Sequence, residues 1–196
     1  VSSSTFLVTG ATGETGRAVC AQLRARGETV IAIGTDASRL EGVDATERLV
    51  ADLTDRAATD ALAADVRSRR DAIDGILHLV GGWKAGWGDE VTDWLNARLV
   101  TSLLNVSEAF EGMLLAAPAG RLAIVSSTVV TRDGPPTSAY AAAKLAAESW
   151  VAQLNARWSG TNAGAVIYVV RSIDPVAAAA ALADVASRAP GDRILL

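Results

Sequence analysis

Tyr140 and Lys144 stand four residues apart in Tyr140-Ala141-Ala142-Ala143-Lys144, in a chain with two tyrosines and two lysines in all. On a helix that spacing sets a phenol and an ammonium on one face. A phenol ordinarily loses its proton at a pH of about 10, and an adjacent cation lowers that by roughly 1–3 units, toward usable acid–base work. Ser127, thirteen residues before Tyr140, offers a hydroxyl that can hold a substrate oxygen. Such a set moves a proton at that oxygen. The electrons of any redox step must come from a cofactor.

A place for a cofactor is legible near the N-terminus. Thr9-Gly10-Ala11-Thr12-Gly13-Glu14-Thr15-Gly16 lies between an apolar, β-prone segment, Thr5 to Thr9, and a helical pattern running from Gly16 to Arg26. Glycines in that setting permit a tight turn, close backbone approach to a pyrophosphate and close helix–strand packing. The helix start adds free N–H groups for the phosphates. A flexible turn with chance glycines is the alternative, and the strand–loop–helix context speaks against it. Asp52 follows the third strand, where a carboxylate can accept from an adenine amino group. Gly81-Gly82 follows the fourth, at the edge where ligands of such sheets bind.

The elements that must position these residues alternate. Strands are expected at Thr5 to Thr9, Thr29 to Ile33, Arg48 to Ala51, Ile73 to Val80, Leu122 to Ser126, Ala165 to Val170 and Arg193 to Leu196. Helices are expected at Asp36 to Leu40, Asp55 to Arg70, Thr92 to Ala117, Ser138 to Trp158 and Pro175 to Arg188, besides the one after the glycine loop. The strands are continuous apolar runs, the mark of a parallel sheet covered on both faces by helices. The fold class expected is α/β: a Rossmann-type, doubly wound parallel sheet of about seven strands, one domain over residues 1–196.

Composition excludes other classes. The chain has 196 residues, half of them hydrophobic and 20% charged, so disorder is not expected. A net charge of −4 and no basic block argue against nucleic acid. Cys20 and His78 are the sole cysteine and histidine, which removes thiolate and imidazole metal sites; no metal is expected. His78, inside an apolar strand, reads as a core histidine. No membrane segment and no signal peptide stand out, and a cytoplasmic protein is expected.

Together these residues resemble the short-chain dehydrogenase/reductase family: the Thr9-to-Gly16 loop, Asp52-Leu53, Gly81, Ser127 and Tyr140-x-x-x-Lys144 occur in family order over nearly the whole chain. The resemblance implies an NAD(P)-dependent oxidoreductase acting on a small carbonyl, alcohol or pteridine-like substrate. Ser127 would orient the substrate, Tyr140 act as general acid/base, and Lys144 lower its pKa and bind the nicotinamide ribose. Gly10, Thr12, Gly13, Thr15, Gly16, Asp52, Leu53 and Gly81 would contact the cofactor. The alternative is an atypical member that binds a dinucleotide as a sensor or scaffold without turnover.

Within the family, Leu79-Val80-Gly81-Gly82-Trp83 and Val170-Arg171-Ser172-Ile173-Asp174-Pro175 resemble the dihydropteridine reductase branch, although Ser127 departs from it. Trp83 and Trp87 would then wall a flat substrate, or else pack a loop. NAD sites carry an acid at the end of the second strand to hold the ribose 2′-OH. Here that position is Gly34, followed by Thr35 and Arg39, so NADP is expected over NAD, with Asp36 as a helix N-cap. Leu99 occupies the usual asparagine position of the central helix, and Asn96 reads as a surface residue. Glu14 replaces a loop glycine. The usual substrate-covering loop is reduced to Ser172-Ile173-Asp174, unless further residues intervene between Arg171 and Pro175. The helices Thr92 to Ala117 and Ser138 to Trp158 imply a homodimer or homotetramer, with Trp150 or Trp158 near the contact.

Overall fold

A computed structural model describes residues 3–130, 134–172 and 174–196. Ile173, part of the segment after the sixth strand, lies outside the described residues. The strands are β1 (Thr5–Thr9), β2 (Thr29–Gly34), β3 (Glu47–Val50), β4 (Gly75–His78), β5 (Arg121–Ser127), β6 (Gly164–Val170) and β7 (Arg193–Leu195). They form one parallel sheet in the order β3-β2-β1-β4-β5-β6-β7. This is the expected doubly wound architecture.

Side-chain alternation assigns the two covering layers. Leu7, Ile31, Ile33, Ile76, Leu122, Ile124 and Ile167 face one side. They pack against α3 (Arg56–Arg67), α5 (Ser102–Ala109), α6 (Glu111–Ala116) and α7 (Ala139–Arg157). Phe6, Val8, Val30, Ala32, Leu77, Ala123, Val166 and Tyr168 face the other side, against α1 (Glu14–Ala25), α2 (Ala37–Glu41) and α8 (Pro175–Leu182). Both faces are therefore dry, which is why the strands read as unbroken apolar runs.

Asp36, Asp55, Ser138 and Asp174 cap α2, α3, α7 and α8 by accepting from first-turn amides. Each cap contributes about 1 kcal/mol. Asp36 is thus the N-cap that the sequence implied. β1 and β4 are neighbours although β2 and β3 lie between them in the chain, so the connections leave β1 and β4 on opposite sides. The crevice at their carboxyl ends is the natural ligand site of such a sheet.

Two helices differ from expectation. The pattern from Thr92 to Ala117 is not one helix: α4 (Asp89–Asn96) passes through a π turn, Ala97–Thr101, into α5, and Phe110 separates α5 from α6. The wider π turn re-aims the apolar face. Leu95 and Leu99 pack with Ala139 and Ala143 of α7, whereas Leu103 and Val106 enter the main layer. The last helix stops at Leu182 instead of Arg188. Arg26 donates to the Ala183 carbonyl and pairs with Asp184 at 2.6 Å, and the Tyr168 hydroxyl donates to the Ala181 carbonyl. Side chains thereby satisfy the carbonyls that another helical turn would have bonded.

Trp158 is 2% exposed and its Nε1 donates to Glu111 Oε1 at 2.5 Å; Trp150 donates to Ser107 Oγ at 2.9 Å. Both indoles close α7 against the helices of their own chain. Trp158 is part of the core of its own subunit.

Candidate functional site

Two adjoining cavities open at the carboxyl edge of the sheet. The larger, about 870 Å³, runs along the glycine loop past the ends of β2 and β3. The smaller, about 420 Å³, lies beyond the end of β4. Thr15, Leu79, Val80, Gly81 and Gly82 line both and form the passage between them.

The loop's glycines are sterically required in two places. Gly10 has φ +65°, and a Cβ there would lie 2.6 Å from the Leu79 carbonyl oxygen. A Cβ on Gly16 would lie 2.4 Å from the Gly10 carbonyl oxygen. These contacts seat α1 directly on the loop and the loop on the β4 exit. Gly13 caps α1 without a side-chain bond, so the first-turn amides face the groove beside Thr12, Glu14 and Thr15. Gly34, Thr35 and Arg39 line its far end. Asp36 accepts from Ser38 Oγ and the Arg39 amide, bonds that hold its carboxyl below the ordinary range, and the Asp36 side chain is not part of the groove wall. The cradle, the uncapped helix start and the arginine fit a dinucleotide.

Asp52, Leu53 and Thr54 line the middle of the groove. Asp52 Oδ1 accepts from the Thr54 amide at 2.9 Å and from its hydroxyl at 2.7 Å; these bonds, with Arg98 nearby, lower its pKa. Buried Asn105 fastens the turn by donating to the Leu53 carbonyl at 3.0 Å and more weakly to that of Thr54. The opposite wall carries Trp94 and Arg98, with the guanidinium 4.6 Å from the indole centroid. Asn105, Trp94 and Arg98 were missed from sequence. An asparagine inside an apolar helical pattern was a usable signal for the first; for the other two, helical spacing does not say which face borders a groove.

Ser127, Tyr140 and Lys144 all line the smaller cavity. β5 delivers Ser127 at its last residue, and α7, capped by Ser138, delivers Tyr140 and Lys144 from its first two turns. The Lys144 ammonium donates to the Val125 carbonyl at 2.7 Å and lies 5.8 Å from the Tyr140 ring centroid. Burial pushes Lys144 down to about 8, partly opposed by the carboxylate of Glu148 one turn on. Glu148 is itself buried, accepts from Ser126 Oγ at 2.6 Å and pairs with Arg193 of β7 at 3.1 Å. Burial raises Tyr140 above its ordinary value. The direction is opposite to the lowering expected from the neighbouring cation, because the phenol is desolvated.

His78 is buried between β1 and the π turn. The Ser102 hydroxyl donates to the Arg98 carbonyl at 2.6 Å, so Nε2 donates to Ser102 Oγ, and Nδ1 accepts from Thr9 Oγ1 at 3.0 Å. Burial, with Lys144 nearby, lowers it to about 3, and the ring stays neutral. It is a satisfied core histidine. Leu99 is 4% exposed and packs with Ala139 and Ala143, with Tyr140 alongside; Asn96 is exposed. Trp83 is 71% exposed at the cavity wall, but Trp87, 63% exposed, lines neither cavity. Trp94 takes the interior place instead: its ring fills the space a Cβ on Gly82 would need.

Residues 6–170 match the NAD dependent epimerase/dehydratase family. A 3beta-hydroxysteroid dehydrogenase of Mediterraneibacter gnavus is 30% identical over 155 residues, 72% of this chain and 55% of that protein. The chain thus spans about half the length of this curated relative. A short-chain dehydrogenase from Streptomyces avermitilis superposes with a TM-score of 0.88 at 22% identity, covering 100% of this chain and 89% of that one. A gluconate 5-dehydrogenase from Burkholderia cenocepacia J2315, in complex with NADP and tartrate, gives 0.87 at 16% identity, covering 100% and 94%. An NADH-dependent reductase complexed with NAD gives 0.86 at 18%, covering 99% and 95%. These likenesses reach the fold and the family, not the dihydropteridine reductase branch. With the family matched from β1 through β6, the chain belongs to the NAD dependent epimerase/dehydratase family, on the fold that solved short-chain dehydrogenases share.

Proposed function

We propose that the protein is an NAD(P)-dependent oxidoreductase that interconverts a small carbonyl compound and its alcohol in the cytoplasm. The observation that supports it best is the convergence of Ser127, Tyr140 and Lys144 on one cavity that joins the glycine-loop groove through Gly81 and Gly82. A bound nicotinamide would supply the hydride. The chain does the rest. The groove holds the dinucleotide by the amides at the start of α1 and by the Asp52–Thr54 turn. Ser127 donates to the substrate oxygen, and Tyr140, kept protonated by burial, gives it a proton on reduction. Lys144 holds positive charge beside the phenol.

NADP over NAD follows from Gly34, which leaves no carboxylate at the ribose, and from Arg39 in the groove with Asp36 tied up as a cap. A homodimer or homotetramer belongs to the same reading, through the outer faces of α5 and α7, with Trp150 or Trp158 near the contact. A pteridine-like substrate is the alternative that the Gly81-Gly82-Trp83 resemblance offers.

The test follows absorbance of NADPH and NADH with a panel of carbonyl compounds and quinonoid dihydropteridine, and titrates both cofactors. Turnover with NADPH is expected, with NADPH bound at least about tenfold tighter than NADH and the difference lost in Arg39→Ala. If Asp36→Ala changes the preference and Arg39→Ala does not, the ribose ligand is Asp36. A dinucleotide-binding sensor is the second reading. Leu99 in place of an asparagine and the Lys144 bond to Val125 favour it, and tight NADPH binding with no turnover across the panel would establish it.

A further inference from the structure

The smaller cavity has a charge character that the chain as a whole does not. The protein carries 22 acidic against 18 basic side chains, a net charge of −4. Yet among the described residues the cavity wall includes Lys144 and Arg171 and not one carboxylate. Lys144 is directed inward to the Val125 carbonyl. Arg171, exposed just past the end of β6, is the other cation among the described lining residues.

Arg171 also differs from the other arginines near the site and the sheet edge. Arg193 is paired with Glu148, Arg121 is bonded to three backbone carbonyls, Arg98 is stacked on Trp94, and Arg39 reaches the Thr12 carbonyl. Arg171 makes no hydrogen bond, ion pair or ring contact among the described residues. A guanidinium placed at a cavity and left unpartnered is matched by a planar anion, since its fork bonds a carboxylate in bidentate fashion. Exposed Trp83 on the same cavity wall supplies an apolar plane for the remainder of the ligand.

Resting on the oxidoreductase reading, we infer that the substrate is a carbonyl compound bearing a carboxylate, and that Arg171 is the specificity-determining residue that binds this group. The phosphates of the cofactor are the other source of anion near this end of the site, and the test separates the two.

Benzoylformate and pyruvate are compared with their methyl esters in the presence of NADPH, both for quenching of tryptophan fluorescence and for turnover, in the full chain and in Arg171→Ala and Arg171→Lys. The acids are expected to bind about tenfold more tightly than the esters. Arg171→Ala should remove that difference, Arg171→Lys should keep part of it, and NADPH affinity should stay the same. Acids and esters binding alike, neither binding at all, or Arg171→Ala weakening NADPH as much as the acids would each overturn the assignment. The outcomes are distinguishable from failure of the parent reading. Turnover of the esters without preference for the acids removes Arg171 and leaves an oxidoreductase; charge-dependent binding without turnover keeps Arg171 and removes the oxidoreductase.

Discussion

Tyr140→Phe should lower kcat for carbonyl reduction by roughly 10²–10⁴-fold, the range lost when a positioned proton donor is removed. Dinucleotide affinity should change by less than about twofold, since the phenyl ring keeps its apolar packing and only the hydroxyl is deleted. That packing is the cluster of Leu95, Leu99, Ala139 and Ala143, which the ring of residue 140 flanks. The wild-type pH profile should carry the electrostatics. Burial holds the phenol above its ordinary range, so the donor is loaded with its proton at neutral pH. Lys144 loses its proton first, near about 8. Reduction should therefore fall as pH rises through that value, when the positive charge beside the phenol disappears. A Tyr140→Phe protein with near-normal kcat ends the assignment of Tyr140 as donor.

Gly16→Ala should be among the most damaging single methyl groups in the chain. The new Cβ would meet the Gly10 carbonyl oxygen at 2.4 Å and the Ala11 Cα at 2.7 Å, both backbone atoms with no torsion of their own to move away. Helix α1 must lift from the loop, at a cost of about 3 kcal/mol. For a chain of this size that is a fall in Tm of roughly 6–12 °C, accompanied by loss of dinucleotide binding. Gly13→Ala is the matched control. Its φ is −75°, and its Cβ would lie 3.4 Å from the Gly10 carbonyl oxygen, an ordinary contact. It should keep its Tm and lose affinity only, by placing a methyl group where the pyrophosphate approaches. Equal Tm values for wild type and Gly16→Ala by thermal denaturation would show that the loop does not carry the helix as described.

The sheet was readable because each strand is an apolar run between glycines or polar turns, and a sheet buried on both faces requires such runs. The glycine loop was readable because its spacing answers to backbone sterics, as the close contacts at Gly10 and Gly16 show. Direction was not readable. The four-residue spacing of Tyr140 and Lys144 sets both on one face of α7, but a lysine has four side-chain torsions, and its ammonium reaches the Val125 carbonyl. Periodicity marked Trp158 as apolar on a helix without saying whether its neighbours belong to the same chain. The π turn was hidden for a related reason: one added residue per turn changes which leucines face α7 while leaving the composition of the segment unchanged.

The seat of Gly10 on Leu79 has a kinetic meaning. The glycine cradle is complete only when the β4 exit lies beneath it, and Thr9 bonds His78 across 69 residues of chain. Such long-range parallel pairing closes large loops before any contact rewards them, and it is intrinsically slow. During synthesis, β1 and β2 emerge with the β4 side of β1 unpaired. Leu7 and Val8 then lie on an open edge that other chains can join. The glycine cradle proposed to hold phosphates is thus no autonomous folding unit. Cofactor binding, arising only after that edge closes, acts as a thermodynamic pull on the last step of folding rather than as a template for its first.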